Sequence, residues 1–113
     1  RISLFIEPNI IDIKKSKSLD VDCIEIHTGK FCNLVNEKKN YKNEFKKINK
    51  AVELGCKLGL EVHAGHGLTY DSAKILSKIS GIQEFNIGHF LIGESIFVGL
   101  SIAIKRFKKI LAK

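Results

Sequence analysis

Three short runs in this sequence alternate in a way that few folds accept. Cys23-Ile24-Glu25-Ile26-His27, Leu60 to Ala64 and Glu84 to Gly88 each put aliphatic residues at every second position. One side carries Ile24 and Ile26, Val62 and Ala64, Phe85 and Ile87. The other carries Cys23, Glu25 and His27, then Glu61 and His63, then Glu84 and Asn86. Successive side chains of a strand point to opposite faces, so these runs describe a sheet with one oily and one polar face. A doubly wound open sheet is covered by helices on both sides and reads as apolar throughout. The interior of a closed barrel accepts the polar face instead.

Taken in order, Ile2 to Ile6 forms a first strand, stopped by Pro8 and Asn9. A helix is expected from Ile10 to Ser18, with Ile10 and Ile13 inward and the Lys14 and Lys17 stems beside them. The second strand ends at Thr28-Gly29, and the polar stretch from Asn33 to Asn43 reads as a loop. Phe45, Ile48, Val52 and Cys56 then recur at helical period until Gly59. After the third strand, Asp71 is placed to cap the helix Ala73 to Ile79. Beyond the fourth strand, a short helix follows Gly88-His89, and a longer one carries Phe97, Leu100, Ala103, Ile104, Phe107 and Leu111 as its stripe.

Strand and helix thus alternate four times, the pattern of parallel βα units. Joined to the polar face, they predict an α/β fold of the TIM (β/α)₈ barrel type. That barrel typically takes about 250 residues, and this chain has 113. The expectation is that residues 1–113 supply the last four βα units of a single barrel domain. The start at Arg1 and the absence of Met agree with a piece of something longer. No linker or low-complexity tract divides it.

The formal charge of +7 raises the question of nucleic acid. Eleven of the 19 basic residues fall in three groups: Lys14, Lys15 and Lys17; Lys46, Lys47 and Lys50; Lys105, Arg106, Lys108, Lys109 and Lys113. Each group is interleaved with apolar residues at helical spacing, as on the wet side of an amphipathic helix. No nucleic-acid module accompanies them, so no nucleic-acid partner is expected; the charge favours phosphorylated small molecules. No apolar run is long enough for a bilayer, and no signal segment opens the chain. Cys23, Cys32 and Cys56 are odd in number and irregularly spaced, which fits free thiols in the cytoplasm. Cys56 is assigned to the core.

The stretch with most chemistry is Val62-His63-Ala64-Gly65-His66-Gly67-Leu68-Thr69-Tyr70. Glycines on both sides of His66 let the backbone turn sharply beside a ligand. A strand running through such a turn toward a helix is a usual place for phosphates and catalytic groups in α/β proteins. A turn histidine bonded only to backbone has the same local sequence, so this motif alone does not decide.

Four segments taken together decide more. Ser3-Leu4-Phe5-Ile6, Ile24-Glu25-Ile26-His27-Thr28-Gly29, Ala64-Gly65-His66-Gly67-Leu68 and Asn86-Ile87-Gly88-His89 resemble, in order, the C-terminal half of the pyridoxine 5′-phosphate synthase family. The resemblance implies a (β/α)₈ barrel that condenses 1-deoxy-D-xylulose 5-phosphate with 3-amino-2-oxopropyl phosphate. Pyridoxine 5′-phosphate forms, with inorganic phosphate and water released, and no metal or redox cofactor takes part. It further implies His66 as proton donor and Glu25 as the group that stabilises charge along the path. Gly67, Gly88 and His89 would bind substrate phosphate. An imidazole suits proton transfer near neutral pH, and a carboxylate in a barrel lumen can stabilise iminium-like charge. Barrels commonly hold phosphate after strands seven and eight at the start of an extra helix, which is where Gly88-His89 falls.

Two positions depart from the family pattern: His63 stands where Asn is usual, and Glu94 where a basic residue is usual, at the edge of the phosphate site. His27, on the face of Glu25, is a candidate second lumen group, and Glu61 with His63 a polar plug deeper down. Two other readings stay open, a non-catalytic half-barrel and another phosphate-binding barrel enzyme. A homo-oligomer is implied by the resemblance. Alone, a half-barrel has two open strand edges and is expected to fold poorly or self-associate, and to be inactive.

Overall fold

Runs of β-branched and aliphatic residues separated by amphipathic stretches give the chain its order in the computed structural model, which describes residues 1–112. The elements are β1 (Ser3–Ile6), α1 (Ile10–Ser18), β2 (Cys23–His27), α2 (Gly29–Asn36), α3 (Lys42–Lys57), β3 (Glu61–Gly65), α4 (Tyr70–Leu76), β4 (Ile82–Asn86), α5 (His89–Val98) and α6 (Leu100–Leu111). The four strands form one sheet in the order β1-β2-β3-β4, and every pairing is parallel. Lys113, one of the basic tail residues, lies outside the described residues.

The register keeps the two faces apart. Ile24 lies opposite Val62 and Ile26 opposite Ala64, while Cys23 meets Glu61 and Glu25 meets His63. Between β3 and β4 the pairing jumps from Val62↔Ile82 to His63↔Glu84. The extra residue on β4, Gln83, is a bulge that keeps Glu84 on the polar side. Ile24, Ile26, Val62 and Ala64 are fully buried under the helices, together with Ile13, Phe31, Ile48 and Leu76. The α/β reading therefore holds, with four parallel strands of the expected polarity.

Several local expectations need correction. The stretch assigned to a loop from Asn33 begins inside a helix, α2, which ends at Asn36. That helix has no side-chain cap; burial of Phe31 and Cys32 holds it, a tertiary contact outweighing local preference. Ile10 is 55% exposed rather than inward, and α1 buries Ile13 and Ser16 instead. Cys56 is exposed, not core. The buried line of α3 runs Glu44, Ile48, Ala51, Val52, Gly55, so it passes one residue before the cysteine. Gly55 takes that place because a Cβ there would come within 2.9 Å of Val62 Cγ2. Only a glycine lets α3 lie this close to the sheet.

At α4 the cap is Thr69, not Asp71, which sits in the first turn; the Thr69 amide donates to Ser72 Oγ at 2.8 Å. The fourth strand starts at Ile82 and stops at Asn86, two residues earlier at each end than expected. The short-then-long pair of tail helices is present as α5 and α6. On α6, Ala103 and Phe107 are buried and Leu100 is exposed, whereas Phe97, expected on the same stripe, lies on α5 and is exposed. Phe107 meets Tyr70 and Phe90 in an aromatic cluster that ties α4 to α5 and α6.

The exposed apolar residues gather at the two flanks of the sheet. Ile2, Phe5, Ile10 and Ile11 lie at the β1 end, and Ile92, Ile96, Phe97, Leu100 and Ile102 on α5 and α6 at the β4 end. Among the described residues, no helix is long and apolar enough to cross a membrane.

Candidate active site

β3 ends in a turn that only glycine adopts freely, yet one of its residues is a histidine. His66 has φ 86° and Gly67 φ 80°. A non-glycine residue in this region costs on the order of 1 kcal/mol and persists only when its surroundings impose it. Thr28 imposes it. Its hydroxyl contacts the carbonyl oxygens of Gly65 at 2.8 Å and His66 at 2.9 Å, and its amide donates to Gly65 at 2.9 Å. Thr28 is fully buried, so water cannot substitute in this clamp. In the sequence Thr28 marks only a strand end, and its one signal is a hydroxyl residue between His27 and Gly29.

Two glycines open the space beside the turn. A Cβ at Gly65 would overlap the Glu25 carboxylate, so its absence lets Glu25 lie against the residue preceding His66. A Cβ at Gly29 would come within 2.9 Å of His66 Cδ2 and closer still to His27 Cε1. The rings of His27 and His66 stack there, centroids 4.5 Å apart and 24° between planes. Glu25 is half-buried and accepts a 2.6 Å hydrogen bond from the Asn86 side-chain amide. In the sequence, Asn86 stands out only as part of a motif.

A cleft of about 550 Å³ at this end of the strands is lined by His66, Gly67, Asn86, Gly88 and His89, with Asn33, Asn36, Leu68, Thr69 and Phe90 completing it. It brings together four of the five residues singled out from the sequence. The fifth, Glu25, reaches the same place through Asn86. His89 is the first residue of α5 and Gly88 the residue before it, so backbone N–H groups at a helix start face the cleft side of the fold. Such a set can bind an anion and offer an imidazole beside it. Glu94 does not line the cleft. It turns to Arg106 on α6, 3.5 Å away, under Tyr70, whose phenol is pushed up by burial and then by Glu94.

The expected polar plug exists and is self-contained. His63 is 8% exposed, with Nε2 2.5 Å from Glu61 Oε2 and Nδ1 2.9 Å from Glu84 Oε2. It faces Glu25 in the register but bonds elsewhere. Glu61 also meets Arg1, and His63 first, then Arg1, hold its carboxyl below the usual range. Cys23, Glu61 and His63 place possible metal-ligand atoms within 4.8 Å of one another. A thiol, a carboxylate and an imidazole are donors zinc accepts. Here, however, both ring nitrogens go to carboxylates and a guanidinium covers Glu61, so these donors are already committed to one another.

A parallel βα sheet with its convergent polar groups at the carboxyl ends of the strands defines the class of α/β proteins that bind small ligands there. The chain belongs to the family described as pyridoxal phosphate biosynthesis protein PdxJ, whose profile matches residues 1–113. It is 60% identical over 113 residues to the pyridoxine 5′-phosphate synthase of Pelagibacter ubique, covering all of this chain and 47% of that protein. The synthase of Zymomonas mobilis is 48% identical over 108 residues, 96% of this chain and 41% of that protein. That of Rhodospirillum rubrum is 45% identical over 108 residues, 96% and 43% respectively. The chain therefore spans somewhat less than half the length of these relatives.

Proposed function

We propose that this chain is the C-terminal half of a (β/α)₈ barrel that forms pyridoxine 5′-phosphate from 1-deoxy-D-xylulose 5-phosphate and 3-amino-2-oxopropyl phosphate. The observation that carries the reading is the single cleft shared by His66, Gly67, Gly88 and His89, set on the polar face of a parallel sheet. His66 acts as proton donor in the dehydrations and ring closure, where an imidazole can move protons near neutral pH. Glu25, tethered by Asn86, stabilises positive charge that develops beside it. Gly67, Gly88 and the α5 start with His89 take a substrate phosphate. No metal or redox cofactor is assigned a role.

The two flanks support the barrel. β1 and β4 are the ends of the strand order, and the exposed apolar residues lie beside them, as they would where a second half covers both. Residues 1–113 then belong to one domain with that half. By themselves they are expected to self-associate or fold poorly and to be inactive; monomeric, cooperative unfolding of the segment contradicts this. A homo-oligomer in the cytoplasm, with no nucleic-acid partner, completes the proposal; the free thiols agree with a reducing compartment.

The test is made in the full-length protein that carries this segment. His66→Asn should lower pyridoxine 5′-phosphate formation by about 10²–10⁴-fold. Undiminished turnover by that variant would overturn the assignment.

A further inference from the structure

A proton donor has to present a nitrogen to its substrate, yet its ring must still be aimed. A hydrogen bond to the ring would aim it at the expense of a nitrogen. In this structure the His66 backbone carbonyl is held by Thr28, but the ring makes no side-chain hydrogen bond among the described residues. Its one ring contact there is the face of His27, 4.5 Å away and nearly parallel.

His27 is itself fixed from two directions. Its Nδ1 accepts from the Gly29 amide at 3.3 Å. Phe5 tilts against the ring at 5.1 Å. Gly29 supplies both the amide and the space, since a side chain there would strike the two imidazoles at once. We propose that His27 is the positioning residue for His66: its anchored ring sets the plane of the His66 imidazole and leaves both His66 nitrogens free for substrate. The proposal rests on the proton-donor reading of His66 and adds the residue that orients it.

The experiment compares His27→Ala and His27→Phe in the full-length protein, by steady-state kinetics and by the NMR signals of the His66 ring protons. Alanine removes the ring; phenylalanine keeps a flat face without the nitrogen. Losing the aim of a reacting group lowers rate about 10²-fold, so His27→Ala should reduce kcat by about that factor with little change in KM. His27→Phe should recover most of the loss, and the His66 ring signals should move in the alanine variant more than in the phenylalanine one. If His27→Ala is too unstable to assay, His27→Gln against His27→Phe makes the same comparison of no ring with ring. An unchanged kcat in the ringless variant, or a phenylalanine variant as slow as it, overturns the proposal. His66→Asn is assayed alongside. An active His66→Asn overturns the proton-donor reading, whereas an inactive one beside a fully active His27→Ala overturns only the positioning role.

Discussion

Asn86 and Glu25 are bonded across an intervening strand: the amide of Asn86 on β4 donates to Glu25 Oε1 on β2 at 2.6 Å, above Gly65 of β3. A carboxylate meant to meet developing charge gains from being held in place beforehand. Hydrogen bonds to charged groups are worth about 1.5–3 kcal/mol. Asn86→Ala should therefore reduce kcat by about tenfold or more and lower the melting temperature by about a few degrees at most. Steady-state assay beside a thermal melt checks both.

Gly65→Ala tests the same bridge from below. The added methyl overlaps the Glu25 carboxylate, and Gly65 has no positive φ to strain. The fold should survive while the carboxylate is pushed aside. The expected result is a folded protein with activity no better than that of Glu25→Gln, measured in parallel.

Thr28→Val keeps the shape of the clamp and removes its hydroxyl. The Gly65 carbonyl keeps the Thr28 amide, while the His66 carbonyl loses its hydroxyl partner, and a lost hydrogen bond costs about 0.5–1.5 kcal/mol. Urea unfolding should show a loss of that size, and Thr28→Ser should restore most of it. A valine variant as stable as the parent would mean that the clamp is idle.

Glu61 gives a pH dependence of known sign. Its carboxyl is held below the ordinary range by His63 and then Arg1, so the folded state binds that proton more weakly than the unfolded chain does. The resulting stability is present above the unfolded value of about 4.3 and is lost as pH falls through the lower folded value. Unfolding midpoints measured from pH 6 downward should fall less steeply in Glu61→Gln. Identical slopes would refute the linkage.

The thiols should react in a fixed order. Cys56 is exposed, whereas Cys23 and Cys32 are buried, and burial pushes the Cys32 thiol up. A maleimide followed by mass spectrometry should mark Cys56 first and Cys32 only when the protein opens. Early labelling of Cys32 would contradict the packing around Thr28.

What could be read from the sequence was set by side-chain alternation. Ile24, Val62 and Phe85 declared one face, and Glu25, His63 and Asn86 the other, because a period of two is unambiguous once strands are found. The candidate site residues came from the four segments that resemble the family, and the glycines on either side of His66 are the one local sign of backbone that comes close to a ligand. The misses lie where contact outweighs pattern. Helix α2 has no side-chain cap, starts at a glycine, and is held by the burial of Phe31 and Cys32. On α3 a glycine, which carries no hydrophobic signal, took the core position that periodicity gave to Cys56. Thr28 and Asn86 act through bonds to residues 37 and 61 positions away, and no local window contains both partners.

The strand order has a consequence for how the molecule comes into being. Among the described residues each strand pairs only with its neighbours in sequence, so each pairing closes a single βα crossover: Ser3 meets Cys23, Cys23 meets Glu61 and Val62 meets Ile82. The sheet can grow in the direction of synthesis, one βα unit laid on the last, each new edge serving as template for the next strand. The histidine turn joins β3 to α4, and its clamp at the end of β2 is already formed when β4 arrives to seal the cleft.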